Sequence, residues 1–114
     1  RFMTHSVYLI QTTLPGSLFE AIVGEFKCNL LRSGAACVEH QTISSMYVWK
    51  GEVQSEPEWK ILASVSEPFL PQVLAVIEEL HPYETPQILH WKVGSSSKYS
   101  KWANTSGSAS LGKA

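Results

Sequence analysis

His81-Pro82-Tyr83-Glu84 brings an imidazole, a phenol and a carboxylate into four consecutive residues. At a helix-to-strand junction these groups could line a cleft and hold a metal ion or a polar ligand. The same residues also read as plain architecture. His81 would end a helix, where a charged ring favours the C-terminal dipole. Pro82 would stop it, because the residue before a proline avoids the helical region, and Tyr83 would plug the core. Both readings stand on the sequence. Trp49 reads as an interface residue before it reads as a ligand stacker. The other histidines, His5, His40 and His90, are scattered, with His40 and His90 in strand patterns. A metal centre needs three or four convergent donors, and the pattern offers one, His81.

Nothing in the chain has the spacing of a nucleophile elbow, a metalloprotease helix or a phosphate loop. Gly94-Ser95-Ser96-Ser97 lacks the Lys-Ser/Thr that a phosphate cradle requires. Glu78 and Glu79 are adjacent on a helix and point to different azimuths, so they do not make a paired-carboxylate site. No enzymatic activity is expected. Asn104-Thr105-Ser106 matches a glycosylation acceptor, which matters only for a secreted chain.

Composition narrows the partners. The 114 residues carry 9 Lys+Arg against 10 Asp+Glu, a net charge of -1, with no basic run. Nucleic acid is not an expected partner, since its phosphates demand a basic excess or stripe. With 44% hydrophobic and 11% aromatic residues, the chain is a globular domain. It is long enough to bury about two-thirds of its unfolded surface without cross-links. Cys28 and Cys37 are expected as two buried thiols rather than a bridge, and no zinc spacing occurs. Apolar runs fall well short of the ~20 residues of a membrane helix. Arg1 to His5 has no signal-like apolar core and no initiator Met, which suits a fragment or a tagged chain. The default expectation is a cytoplasmic protein.

The elements that must position these residues follow from periodicity. Val7-Tyr8-Leu9-Ile10 predicts a buried strand near 6–12. Ser17-Leu18-Phe19-Glu20 fits a capping box. Leu18, Ile22, Phe26 and Leu30, flanked by Phe19 and Val23, form one apolar face of a helix over 17–33, and Gly34 suits its left-handed stop. Residues 35–49 read as a long strand of inconsistent parity, reconciled by a bulge near Gln41 to Ser45. Lys50-Gly51 supplies a turn into a strand over 53–66, where Pro57 calls for an edge or bulge. A second helix over 68–80 presents Leu70, Val73, Leu74, Ile77 and Leu80. A strand follows near 85–93, with Leu89, Trp91 and Val93 on one face, then a short helix over 97–104 docked by Tyr99 and Trp102. Residues 105–114 are expected as a flexible Ser/Gly-rich tail, leaving 1–104 as a single domain.

Strand, helix, long hairpin, helix, strand is the split βαβ order of an α+β, ferredoxin-like sandwich. A hairpin of this length outruns so small a body. Tyr47, Trp49 and Trp59 on it favour pairing with another subunit, because exposed aromatics on a strand edge invite association.

Ala36-Cys37-Val38, Ser45-Met46-Tyr47-Val48-Trp49-Lys50-Gly51, His81-Pro82-Tyr83-Glu84-Thr85-Pro86 and Tyr99-Ser100-Lys101-Trp102 occur in an order and spacing that resembles the CutA proteins, the divalent-cation tolerance family. The resemblance spans about residues 7–104, and His-Pro-Tyr-Glu-x-Pro is its most specific part. It implies a homotrimer joined through sheet edges and a link to copper or other divalent-cation tolerance. It also implies an inter-subunit cleft at Trp49, His81, Tyr83 and Glu84. In bacterial members a first-strand Cys and a His-His pair have been linked to metal. Here Gln11 or Thr12 and Leu80 stand in their places, so only His81 survives as a ligand and copper binding is expected to be weak. Lys50 and Ser64 replace the family's usual Glu and Lys. Animal members are linked to acetylcholinesterase processing, which makes a partner-binding scaffold the alternative role.

Overall fold

The computed structural model describes residues 5–112, with side chains to Ala109. Its elements run β1 (His5–Pro15), α1 (Glu20–Arg32), β2 (Cys37–Trp49), β3 (Glu52–Val65), a single 3-10 turn at Glu67–Phe69, α2 (Leu70–Leu80), β4 (Ile88–Ser95) and α3 (Ser97–Gly112). The four strands form one sheet in the order β2-β3-β1-β4, antiparallel throughout. Each βαβ half therefore has a strand of the other half inserted between its own two strands. This is the ferredoxin-like arrangement expected from the element order.

One face of the sheet carries α1 and α2. Ile10, Leu14, Ile61, Ala63 and Val65 from the strands meet Val23, Phe26, Leu30, Val73 and Ile77 from the helices in one buried core. Each large aliphatic or aromatic side chain so buried contributes about 1.5–3 kcal/mol. The buried stripe of α1 is Val23, Phe26 and Leu30, three residues that share a helix face. Ile22 and Phe19, expected on that face, point outward, Phe19 at 80% exposure. The expected capping box is also absent. Phe19 is the N-cap and makes no side-chain cap bond, while Ser17 lies in the turn before it. Gly34 does take a left-handed conformation, φ 123°, after α1.

β2 and β3 keep one unbroken register from Cys37↔Ser64 to Trp49↔Glu52, so there is no bulge. The mixed parity has another cause. Near the body, Val38 and His40 turn toward the helices, whereas Ile43, Ser45, Tyr47 and Trp49 line a cavity on the opposite face. Lys50 and Gly51, both at positive φ (51° and 81°), close the hairpin as expected. Pro57 is on an inner strand, yet β1 ends opposite Glu58, and Gly16 N–H donates to the Pro57 carbonyl. The missing amide therefore falls beyond the end of β1 and costs no ladder bond. From Ser44↔Pro57 to the tip the hairpin has no third strand beside it among the described residues. The radius of gyration, 15.2 Å, exceeds the ~13 Å of a compact chain this size because of that projection.

The C-terminal segment departs most from expectation. Residues 105–112 continue α3 instead of forming a flexible tail; residues 113–114 lie outside the described part. Ala103 and Gly107 are the buried residues of α3, while Tyr99 and Trp102 are 37% and 49% exposed and Tyr99 Oη lies 2.9 Å from Ser64 Oγ of β3. Ala103 packs with Val7, Ala36 and Val93. Asn104 of the glycosylation triplet lies inside this helix and accepts a hydrogen bond from Ser66 Oγ. Cys28 and Cys37 are free thiols, as expected, but Cys28 is exposed and Cys37 only half-buried.

Candidate functional site

The chain between α2 and β4 passes round the sheet near the end of β1. His81 begins that passage on the helix face. Its ring meets Phe26 edge-on at 6.3 Å between centroids. Its Nε2 lies 2.9 Å from the Thr13 carbonyl and 3.0 Å from Thr12 Oγ1. A carbonyl only accepts, so Nε2 carries the proton. Nδ1 in turn accepts the Tyr83 backbone N–H at 3.2 Å. The ring is thus the neutral Nε2–H form. Burial holds its pKa below the ordinary 6.5, against opposing effects of the Thr13 carbonyl and Glu58. The helix-ending role expected for His81 is met, since it is the C-cap of α2, but by a neutral ring.

Two residues later the chain is on the open face. Tyr83 Oη donates to Glu58 Oε2 at 2.6 Å, a length typical of a charge-assisted bond. The phenol pKa is pushed well above the ordinary 10, first by burial and then by Glu58, so Tyr83 remains a neutral donor. Tyr83 plugs no core. It roofs a carboxylate.

Around this pair lies a cavity of about 520 Å³. Ile43, Ser45, Met46, Tyr47 and Trp49 of the hairpin form one wall, and Tyr83, Glu84, Thr85 and Gln87 form another. Gln11, Thr13 and Glu58 make its floor, and Gln11 Nε2–H donates to Gln87 Oε1 at 3.1 Å. Trp49 carries Lys50 Nζ 5.7 Å from its ring centroid. Of the residues singled out in the sequence, Tyr47, Trp49, Tyr83 and Glu84 are brought together here, and His81 is not part of the lining.

Trp59, expected at an interface, has contacts within the subunit. It is half-buried against the subunit's own core, its Nε1–H donates to the Leu18 carbonyl, and its ring meets His40 edge-on. Tyr47 and Trp49 do lie on the projecting hairpin, 39% and 41% exposed. The residue that sequence reasoning missed is Glu58. Beside Pro57 and Trp59 it looks like an ordinary solvent-facing member of an alternating strand. In the folded chain Tyr83 bonds to it from the loop after α2, and it is 7% exposed.

The residues present do not fit a cation held by His81. Its one lone pair, on Nδ1, is taken by the Tyr83 amide, and no three His, Cys, Asp or Glu side chains among the described residues converge to hold a metal.

Comparison with known proteins adds the following. The family model described as CutA1 divalent ion tolerance protein matches residues 25–106. A probable divalent-cation tolerance protein cutA homolog from Encephalitozoon cuniculi is 31% identical over 83 residues, covering 71% of this chain and 73% of its own. The divalent-cation tolerance protein CutA of Thermotoga maritima is 35% identical over 72 residues, covering 62% of this chain and 71% of its own. Among solved structures, CutA from Synechococcus elongatus superposes with a TM-score of 0.80 at 25% identity, covering 92% of this chain and 93% of that one. The apo form of the PII-like protein CutA from Nostoc superposes with a TM-score of 0.77 at 30% identity, covering 88% and 96%.

Proposed function

The chain belongs to the CutA1 divalent ion tolerance family, and from that premise we propose that it acts as a homotrimer in divalent-cation tolerance, without catalysing a reaction. The family match carries the tolerance role. What supports assembly is the hairpin, which projects past β1 with Met46, Tyr47, Val48, Trp49 and Val53 all well exposed. So much apolar surface on an unaccompanied strand pair favours a neighbouring subunit, and a closed ring leaves no edge free. Copper or another divalent cation binds weakly, because the chain offers no converging donor set among the described residues.

The same scarcity of donors supports a second reading, a non-enzymatic trimeric scaffold that binds a protein partner. Two measurements separate the readings. Expression of the chain in a bacterium lacking its own family member should restore growth on copper if it acts in tolerance. Failure to do so by a well-folded trimer would favour the scaffold. Calorimetric titration of the trimer with copper and zinc should show weak binding unaffected by His81→Gln. Tight binding that this substitution abolishes would overturn the account of His81.

A further inference from the structure

We propose that His81 is a proton-operated latch on the loop after α2: a second proton, on Nδ1, expels the Tyr83 amide and frees Tyr83 from Glu58. The two ring nitrogens face different parts of the fold. Nε2–H is held on β1 by the Thr13 carbonyl at 2.9 Å, with Thr12 Oγ1 at 3.0 Å, and the ring meets Phe26 of α1 edge-on. Nδ1 accepts the Tyr83 N–H at 3.2 Å, so its lone pair is what holds the loop. An imidazolium has no lone pair, and both of its nitrogens donate. Once Nδ1 is protonated, two N–H groups face each other and one of them must move.

The loop is the part that yields. β1 and α1 belong to the core, where Thr12 is 1% and Phe26 7% exposed. Residues 82–86 make no backbone–backbone hydrogen bond among the described residues, and Pro82 and Pro86 have no N–H to give. Tyr83 is tied by its amide to His81 and by its Oη to Glu58. Moving its backbone carries the phenol off the carboxylate, so the second tie follows the first. Segments held by so few bonds are where local opening occurs. The groups facing the ring are few. α1 offers Phe26 and β1 offers Thr12 and Thr13, all uncharged; the loop offers Tyr83, its ring centroid 5.2 Å away, and β3 offers Glu58. Glu58 favours the charged ring and burial opposes it more strongly, so the latch opens below pH 6.5. The open form uncovers Glu58. Every contact named lies in one chain, so this inference is independent of the tolerance role and of assembly.

The test is amide hydrogen exchange of the full chain, read residue by residue by NMR between pH 7.5 and 5, with each rate corrected for the intrinsic pH dependence of exchange. Light scattering on the same samples reads assembly separately. The Tyr83 N–H should lose at least about tenfold in protection across that window. Its midpoint should equal that of the His81 ring titration, while the Ala63 amide of β3 keeps its protection. His81→Gln, which cannot take the proton, should hold Tyr83 protection within about twofold. Constant Tyr83 protection in the wild type, a midpoint apart from that of the ring, or an equal loss in a folded His81→Gln would each overturn the proposal. A loss shared by Ala63 would overturn it in favour of general acid unfolding. Should His81→Gln fail to fold, the coincidence of the two midpoints in the wild type still decides.

Discussion

Tyr83 Oη stands 2.6 Å from Glu58 Oε2, a hydrogen bond that fastens the loop after α2 to β3 across the open face of the sheet. The donor is neutral and the acceptor is buried, so the bond is worth more than an exposed one. Tyr83→Phe keeps the ring and removes the hydroxyl. It should cost about 1–2 kcal/mol in chemical denaturation, and the wild type should retain one tyrosine that ionises well above pH 10, absent from the variant. An unchanged denaturation midpoint would show that the bond is not formed in solution.

His81 makes stability depend on pH. Its folded pKa lies below its unfolded value of 6.5 because burial disfavours the charged ring. The unfolded chain therefore binds the extra proton first as pH falls. Stability from this group is complete above pH 6.5 and declines as the pH drops below it, towards the folded pKa. His81→Gln should flatten the melting temperature between pH 7.5 and 5, measured by thermal unfolding across that window. An equally steep profile in the variant would place the titration elsewhere.

Gly107 tests whether the C-terminal segment is structure or tail. A Cβ at this position would stand 2.5 Å from Phe69 Cδ2 and 2.6 Å from the Gly34 carbonyl oxygen. The ring can yield, but the backbone oxygen cannot yield cheaply. Gly107→Ala should destabilise by about 1–3 kcal/mol in urea unfolding. A neutral effect would mean that residues 105–112 do not pack.

Assembly should respond at the hairpin and not at Trp59's indole bond. Trp49→Glu places a charge where apolar contact with a neighbour is expected, and light scattering should report a smaller species. Trp59→Phe removes the bond to Leu18 within the subunit and should lower stability by about 1 kcal/mol while leaving the assembly size unchanged. A wild-type chain that scatters as a stable monomer at micromolar concentration would end the trimer proposal.

Much of the fold is legible in residue order because its signals are local. The 3.6-residue spacing of Val23, Phe26 and Leu30, the positive-φ site at Gly34 and the Lys50-Gly51 turn each act within a few residues. Local rules also failed where a contact from elsewhere outweighed them. The supposed bulge in β2 reflected a strand whose two faces are covered by different parts of the chain at different points. The Ser/Gly-rich end of the chain looked unable to pack, yet small residues are what let α3 approach Phe69 and Gly34 closely. Glycine there is a fit, not a break.

The sequence by itself determined the split βαβ order through residue types and short spacings, and its motifs carried the family resemblance that implied a cleft at Trp49, His81, Tyr83 and Glu84. Tertiary structure alone decided the roles at the site. It turned His81 inward, where Thr13 and the Tyr83 amide take both ring nitrogens. It laid Tyr83 over Glu58, 25 residues away in the chain. Burial and hydrogen-bond partnership depend on which distant segments meet, and no spacing within one strand or loop encodes that.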